Sequence, residues 1–190
     1  METIMLKDNW TLTVLGKNVY DIPEKPIETK VPSTVYGTLL EKGLMPDPFF
    51  RDNELQATKL MENDFVYETK FTISAKERES DRLFLRFDGI DTIADIYLNE
   101  KKIGSADNMN RVWEYDITSV VEGDAEDTVY HLKVVLHSPI KYAIQENDKC
   151  PVGGAAESMP GFPHIRKAAC MFGWDWGRDF RMPDYSGRFP

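Results

Sequence analysis

Cysteine and histidine are scarce in this sequence. Two cysteines, Cys150 and Cys170, and three histidines occur among its 190 residues. Two cysteines do not form the framework of a disulfide-stabilised secreted domain, so we expect both thiols to be free and buried. The sequence has no Cys-x-x-Cys and no His-x-x-x-His spacing, which argues against a zinc site. We therefore predict neither a metal ion nor a cofactor.

Excess positive charge and long apolar runs are also absent. The net charge is −9, and an acidic field does not attract nucleic acid or an anionic membrane surface. No apolar stretch reaches the length of a membrane-spanning helix, and the first residues show no basic start followed by an apolar run. We expect a cytoplasmic protein that binds neither nucleic acid nor membrane.

The common catalytic motifs are missing as well. There is no Gly-x-Ser-x-Gly elbow and no Gly-rich phosphate loop. Retaining glycosidases use two carboxylates about 5 Å apart, one of which often follows an Asn. Two Asn-Glu pairs occur here, Asn53-Glu54 in a proline-bounded loop and Asn99-Glu100 in a hairpin turn, and we interpret both as structural. We predict no catalytic residue in this chain.

Alternation of apolar and polar residues predicts a series of antiparallel strands. Residues 65–73 place Phe65, Phe71 and Ile73 on one face and the charges of Glu68 and Lys70 on the other. Residues 128–137 alternate in the same way, with the histidines on the polar face. This predicts an all-β fold, an antiparallel β-sandwich of the jelly-roll kind. Further strands are predicted at 10–14, 83–87, 94–98 with a return through 103–104, and 112–117.

One short helix is predicted near the N-terminus. Ser33 is its expected N-cap and Gly43 its expected end. The Pro46-Asp47-Pro48 sequence that follows predicts an extended loop. A second long loop is predicted from 147 to 163, where Gly, Pro, Ala and Ser accumulate.

The Trp174-Asp175-Trp176 triplet is the most unusual stretch of the sequence, because it contains two of only four tryptophans. The glycines on either side, Gly173 and Gly177, allow a sharp bend or a close approach of the backbone. One interpretation is a buried tryptophan pair with the aspartate in a turn. The other is a sugar-binding surface, since C–H faces of a sugar stack on indole rings and its hydroxyls donate to a carboxylate.

Three stretches of the sequence together carry a family resemblance. The first runs through Val31-Pro32-Ser33-Thr34-Val35 and Leu39-Leu40 to Asp47-Pro48-Phe49-Phe50-Arg51-Asp52-Asn53-Glu54. The second covers residues 85–99. The third runs from Ile165-Arg166-Lys167 to Phe172-Gly173-Trp174-Asp175-Trp176-Gly177. They resemble the N-terminal domain of glycoside hydrolase family 2. The second stretch is shared with β-galactosidases and β-glucuronidases, whereas the third is typical of β-mannosidases. The resemblance covers nearly the whole chain.

This resemblance implies a galactose-binding-like jelly roll that is the first domain, residues 1–190, of a larger glycosidase. An immunoglobulin-like domain and a (β/α)₈ barrel with both catalytic glutamates would follow it. The whole enzyme would release terminal, non-reducing β-mannose with retention, and the domain alone would be inactive. Its expected partners are a β-mannoside and the remaining domains of the same enzyme.

The resemblance also implies site residues. In β-mannosidases the Trp-Asp-Trp loop helps to wall the mannose pocket, so Trp174, Asp175 and Trp176 are the predicted substrate-binding residues, together with Arg166 of the same motif. The family motif usually continues with proline, where this chain has Arg178. A closing strand expected after that point is also not evident, which predicts a chain truncated at its C-terminal end.

Three other functions remain open at the sequence level. The chain could be a free-standing carbohydrate-binding module, because aromatic and carboxylate side chains suit sugar binding. It could be the corresponding domain of a β-galactosidase or a β-glucuronidase. It could also serve only to support a catalytic barrel without touching the sugar.

Overall fold

A computed structural model of the chain describes residues 3–17, 19–123, 128–152 and 161–168. The described residues form eight β-strands, five α-helices and one 3₁₀ helix. The strands are β1 Trp10–Leu15, β2 Ile27–Thr29, β3 Asp64–Thr72, β4 Phe84–Phe87, β5 Ala94–Leu98, β6 Lys101–Ala106, β7 Trp113–Asp116 and β8 Val129–Leu136. The helices are α1 Val35–Glu41, α2 Asn53–Leu60, α3 Ala75–Arg78, α4 Thr118–Val121 and α5 Pro139–Lys149, and the 3₁₀ helix is Phe162–His164.

The strands form two antiparallel sheets, as expected for the predicted antiparallel β-sandwich. The larger sheet has six strands in the order β2-β1-β3-β8-β5-β6, and β4 pairs with β7 in a second, two-stranded sheet. Non-consecutive strands such as β3 and β8 lie side by side in the larger sheet. Long connections of this kind are typical of jelly rolls.

The alternation predicted for the two central strands is confirmed. On β3 the side chains of Phe65, Tyr67 and Thr69 are buried, while Lys70 is exposed. On β8 every second residue from Tyr130 to Leu136 is buried. Because side chains alternate across a strand, one face of the six-stranded sheet lies on the core and the other carries the charges.

The expectation of a single helix is wrong. The predicted helix exists as α1, but its N-cap is Thr34, whose hydroxyl accepts a hydrogen bond from the Gly37 N–H at 2.8 Å, rather than Ser33. Gly43 follows the helix with a φ of +67°, as expected for a glycine that ends a helix. The structure contains four further α-helices besides α1 among the described residues.

Two of those helices were not predicted. The first, α2, begins at Asn53, within the predicted extended loop, and it buries only Ala57 and Leu60. A helix with so narrow a buried face has no clear 3.6-residue pattern in its sequence. The second, α5, begins within a segment where no element was predicted. Ser138 caps it by accepting from the Lys141 N–H, and Pro139 occupies its first turn, where proline is tolerated.

Ion pairs cover the polar face of the six-stranded sheet. The His137 ring lies 3.4 Å from Asp64 on one side and 3.4 Å from Asp95 on the other. The Lys102 ammonium is 2.7 Å from Asp95. The His131 ring lies 3.2 Å from Glu68 and 3.6 Å from Glu100, and Lys133 also pairs with Glu100. The predicted position of both histidines on the polar face is confirmed.

The cysteine expectation is only partly met. Cys150 is free but exposed, because it lies at the C-terminal end of α5 rather than in the core. Cys170 lies outside the described residues. Among the described residues, no helix has the length and apolar character needed to cross a membrane.

Gly104 on β6 provides a test of packing between the two sheets. A Cβ atom at this position would overlap the ring of Tyr115 on β7. We expect Gly104→Ala to lower the free energy of unfolding by about 1–3 kcal/mol, because the half-buried Tyr115 ring would have to move to make room for the added methyl group. Urea unfolding followed by circular dichroism would measure the change.

The matched control is Gly89→Ala. A Cβ atom on Gly89 would meet only the Met109 carbonyl oxygen, at an ordinary contact distance of 3.5 Å. We expect this variant to unfold at nearly the same urea concentration as the unmodified chain. Equal stability of both variants would contradict the packing of β6 against Tyr115.

Asp95 makes the stability depend on pH. Burial by itself would raise the pKa of this carboxyl, but hydrogen bonds from Lys102, Ser105 and His137 outweigh burial and lower the pKa. The stabilisation is therefore present above the unfolded value of about 3.9 and is lost as the pH falls through the lower folded value. We expect Asp95→Asn to lower the free energy of unfolding by about 1 kcal/mol at pH 7.

Urea unfolding at pH 7 and at a pH below 3 would measure this effect, since the difference between Asp95→Asn and the unmodified chain should shrink at the lower pH. Asp88→Asn is the control, because Asp88 is exposed and pairs only at the surface with Arg86. A surface pair of this kind contributes little. A difference that stays constant across the pH range would contradict the role assigned to Asp95.

Candidate functional site

The strand register brings several chain segments together at one end of the sandwich. Leu136, the last residue of β8, pairs with Phe65 near the start of β3 and with Ala94 at the start of β5. Ala94 also pairs with Ala106 at the end of β6. The segments that precede or follow these residues therefore lie near one another. We refer to residues 88–93, 107–110, 137–138 and 161–168 as the site end.

The site end is joined to the core by a buried serine. The Ser138 N–H donates to the Asp64 carboxylate at 2.8 Å, and the Ser138 hydroxyl donates to the Met61 carbonyl at 2.7 Å. The His137 N–H donates to the Ile93 carbonyl at 2.8 Å. These bonds fix the point at which α5 leaves the sheet.

The first half of segment 161–168 packs on α5. Gly161 has a φ of +82°, and a Cβ atom there would overlap the Ala143 carbonyl, so only glycine allows this approach. Ile165 is buried against Ala143, with Phe162 beside them. A ring nitrogen of His164 donates to the Cys150 carbonyl at 3.0 Å, since a carbonyl can only accept.

The second half of the same segment lies along residues 108–109. Arg166 and Asn108 form a parallel β-bridge, and the Met109 N–H donates to the Arg166 carbonyl at 3.0 Å. The Ala168 N–H approaches the Met109 sulfur at 3.1 Å. The Lys167 N–H donates to the Ile165 carbonyl at 3.0 Å, so the chain makes a three-residue turn about Arg166.

A buried ion pair lies at the centre of the site end. The Lys167 ammonium contacts the Asp91 carboxylate, and their side chains are only 2% and 11% exposed. The Thr92 hydroxyl donates to the other carboxylate oxygen of Asp91. Both oxygens of Asp91 therefore have a donor, which is the condition for burying a charged group without a large penalty.

The predicted site residues divide between described and undescribed parts of the chain. Arg166 lies in the site end with its backbone held by Met109 and its side chain exposed, so its guanidinium is accessible to a ligand. Trp174, Asp175 and Trp176 lie outside the described residues. Their predicted contact with substrate stays a prediction.

Sequence analysis missed the two residues that hold the site end together. Asp91 and Lys167 both occur in stretches that carry the family resemblance, but 76 positions separate them. Nothing in a single sequence indicates that two such charges meet. The one available signal was the position of Lys167 directly after Ile165 and Arg166, in a segment that leads into the Trp-Asp-Trp triplet.

The two Asn-Glu pairs lie in a hairpin turn and at the start of a helix. Asn99 and Glu100 have φ values of +49° and +64° and form the turn between β5 and β6. The Asn99 side chain accepts a hydrogen bond from the His131 N–H at 2.8 Å. Asn53 and Glu54 lie in the first turn of α2, not in an extended loop as predicted.

Other possible ligand sites in the described part of the chain are limited. No group of three or more His, Cys, Asp or Glu side chains is placed to hold a metal ion within residues 3–17, 19–123, 128–152 and 161–168. A surface cavity of about 320 Å³ is lined by residues in and just after α3 and α4, including Arg78, Asp81, Thr118 and Glu122. It lies beyond the C-terminal end of β3, at the opposite end of the sandwich from Asp91 and Lys167.

The chain is similar to proteins of known activity. It is 32% identical over 186 residues to a β-mannosidase of Capra hircus, a match that covers 94% of this chain and 20% of that protein. It is 36% identical over 160 residues to a β-mannosidase of Mus musculus, a match that covers 79% of this chain and 17% of that protein. The crystal structure of a β-D-mannosidase from Dictyoglomus thermophilum superposes with a TM-score of 0.78 at 33% identity, covering 93% of this chain and 21% of that one.

This chain therefore spans about one fifth of the length of the relatives that it matches. A family model described as the glycosyl hydrolase 2 galactose-binding domain-like family matches residues 10–183. The resemblance noted from the three sequence stretches is confirmed. The chain belongs to the galactose-binding-like domain family of the family 2 glycosyl hydrolases.

Proposed function

We propose that this domain forms part of the substrate pocket of a β-mannosidase, which removes terminal, non-reducing β-D-mannose with retention. The observation that carries the proposal is the position of the buried Lys167–Asp91 pair. Lys167, one member of the pair, lies seven residues before Trp174 in the sequence. The two β-mannosidase relatives and the β-mannosidase structure, each 32–36% identical to this chain, support the choice of sugar.

The roles proposed for the triplet follow from sugar chemistry. Trp174 and Trp176 would stack on the C–H faces of the mannose ring, which are apolar. Asp175 would accept hydrogen bonds from sugar hydroxyls, and a charged acceptor makes the stronger kind of hydrogen bond. The exposed guanidinium of Arg166 would donate to a hydroxyl at the edge of the pocket.

The chemistry itself would take place outside this domain. Retaining glycosidases need a nucleophilic carboxylate and a separate acid/base carboxylate. We propose that other domains of the full-length protein supply both groups, so that this domain contributes binding only. Its partners would be a β-mannoside and those domains. The expected cytoplasmic location stays a prediction.

The length of chain between the site end and the triplet supports placing both in one pocket. Five residues lie between Ala168 and Trp174, so six Cα–Cα steps join the two residues. A fully extended chain rises about 3.3–3.6 Å per residue, so the two α-carbons lie within about 22 Å of each other. A distance of this size is compatible with a pocket that contains both the triplet and the site end.

An aryl β-mannoside assay on the full-length protein that carries this domain tests the proposal. We expect hydrolysis of the mannoside, and no turnover by the 190-residue chain alone. Asp175→Ala in the full-length protein should lower kcat/KM by about 10- to 100-fold, because losing a hydrogen bond to a buried polar group costs about 1–3 kcal/mol. Glu100→Gln is the control, since Glu100 is exposed and lies in the turn between β5 and β6, at the far end of β5 from Asp91.

The same assay separates the other candidate functions. Preferential cleavage of an aryl β-galactoside or β-glucuronide would replace the mannosidase assignment. Sugar binding by the domain with no glycosidase activity in the full-length protein would favour a carbohydrate-binding module. Unchanged kinetics for Asp175→Ala would refute the assignment of the triplet to the pocket and leave a supporting role for the domain.

A further inference from the structure

We propose that Lys167 and Asp91 are positioning residues for the substrate pocket, and that their ion pair fixes the backbone from which the Trp-Asp-Trp triplet extends. The inference rests on the proposed function, because it assigns a role within the same pocket. It adds two residues for which neither the sequence motif nor the family resemblance gave a role.

The pair anchors the second half of segment 161–168. Ile165 is buried and Arg166 is exposed, whereas the Lys167 side chain is only 2% exposed and contacts Asp91. Because removing one partner of a buried ion pair leaves an uncompensated charge, the contact holds the backbone at Lys167 in place.

The other contacts of this half of the segment are weaker. Gly161 and Ile165 hold the first half on α5. Beyond Ile165, Arg166 shares one parallel bridge with Asn108, and the Ala168 N–H has a thioether sulfur, a weak acceptor, as its partner. The Lys167 ammonium adds a buried, charge-assisted contact to these main-chain contacts.

The same pair connects the segment to the central sheet. Asp91 lies three residues before Ala94, the first residue of β5, and Ala94 pairs with Leu136 of β8. Any displacement of the Lys167 ammonium relative to Asp91 is therefore a displacement relative to the rigid sheet. This contact therefore fixes the point on the fold from which the chain continues after Lys167.

A change in this pair should act on substrate binding as well as on stability, because removing one partner leaves the other charge buried. In the full-length protein we expect Lys167→Met to raise KM for an aryl β-mannoside, with kcat/KM lower by about 10- to 100-fold, because a misplacement of about 1 Å can cost that much. Asp91→Asn should have a similar effect. The double variant Asp91→Asn/Lys167→Met should be no worse than either single variant, as expected for two groups that act as one unit.

The control is Gly104→Ala, which is expected to destabilise the same domain through Tyr115 without touching the site end. Its kinetic constants should match those of the unmodified enzyme at temperatures where both are folded. If Lys167→Met lowers Tm as Gly104→Ala does but leaves KM and kcat unchanged, the pair is only structural and the proposal is overturned. Lys167→Arg should restore part of the lost kcat/KM, because it keeps the charge.

A second measurement separates failure of this inference from failure of the proposed function. Trypsin cleavage of the full-length protein after Arg178 and Arg181 reports on the segment that follows the pair, whatever the substrate is. We expect faster cleavage there in Lys167→Met than in the unmodified protein or Gly104→Ala. If the unmodified protein hydrolyses no mannoside but this difference is observed, the positioning role stands and the mannosidase assignment fails. Equal cleavage rates in all three proteins would overturn the positioning role.

Discussion

The pairing of β3 with β8 is the constraint on which the rest of the structure depends. The two strands align from Phe65 opposite Leu136 to Thr72 opposite Val129. Their inward side chains include Phe65, Tyr130 and Leu132, which are almost completely buried. A shift of this register by one residue would turn those side chains to solvent and the histidines into the core. Hydrophobic burial therefore holds the register, and the register determines which strand ends meet.

The site end is a consequence of that register. Because β8 ends beside the starts of β3 and β5, the loop with Asp91 and the first turn of α5 lie close together. Segment 161–168 occupies the space between α5 and residues 108–109 and buries Lys167 against Asp91. A buried ion pair is weak evidence for stability, because desolvation offsets its attraction. Its specificity for one geometry is the property that a binding site can use.

Sequence reasoning succeeded where burial imposes a simple period and failed where it does not. Along a half-buried strand, apolar and polar side chains alternate with a period of two residues. The strands at 64–72 and 129–136 were therefore predicted to within one residue of their ends. Helix α2 buries so little that its sequence lacks a helical period. Helix α5 begins at Pro139, in a segment where no element was predicted, although proline is favoured in a first helical turn. Among the site residues, Arg166 was named from the motif, whereas Lys167 and Asp91 were not.

The sequence by itself determined the fold class and the family, because alternation along each strand and short motifs are local properties of the chain. It also drew attention to Trp174, Asp175 and Trp176, since two tryptophans beside one carboxylate are unusual at any position. Only the tertiary structure decided that Asp91 and Lys167 meet. Their contact depends on the order of the strands in the sheet and on the close approach of Gly161 to α5. Neither can be predicted from the residues next to Asp91 and Lys167 in the sequence, because both depend on residues far apart in the chain.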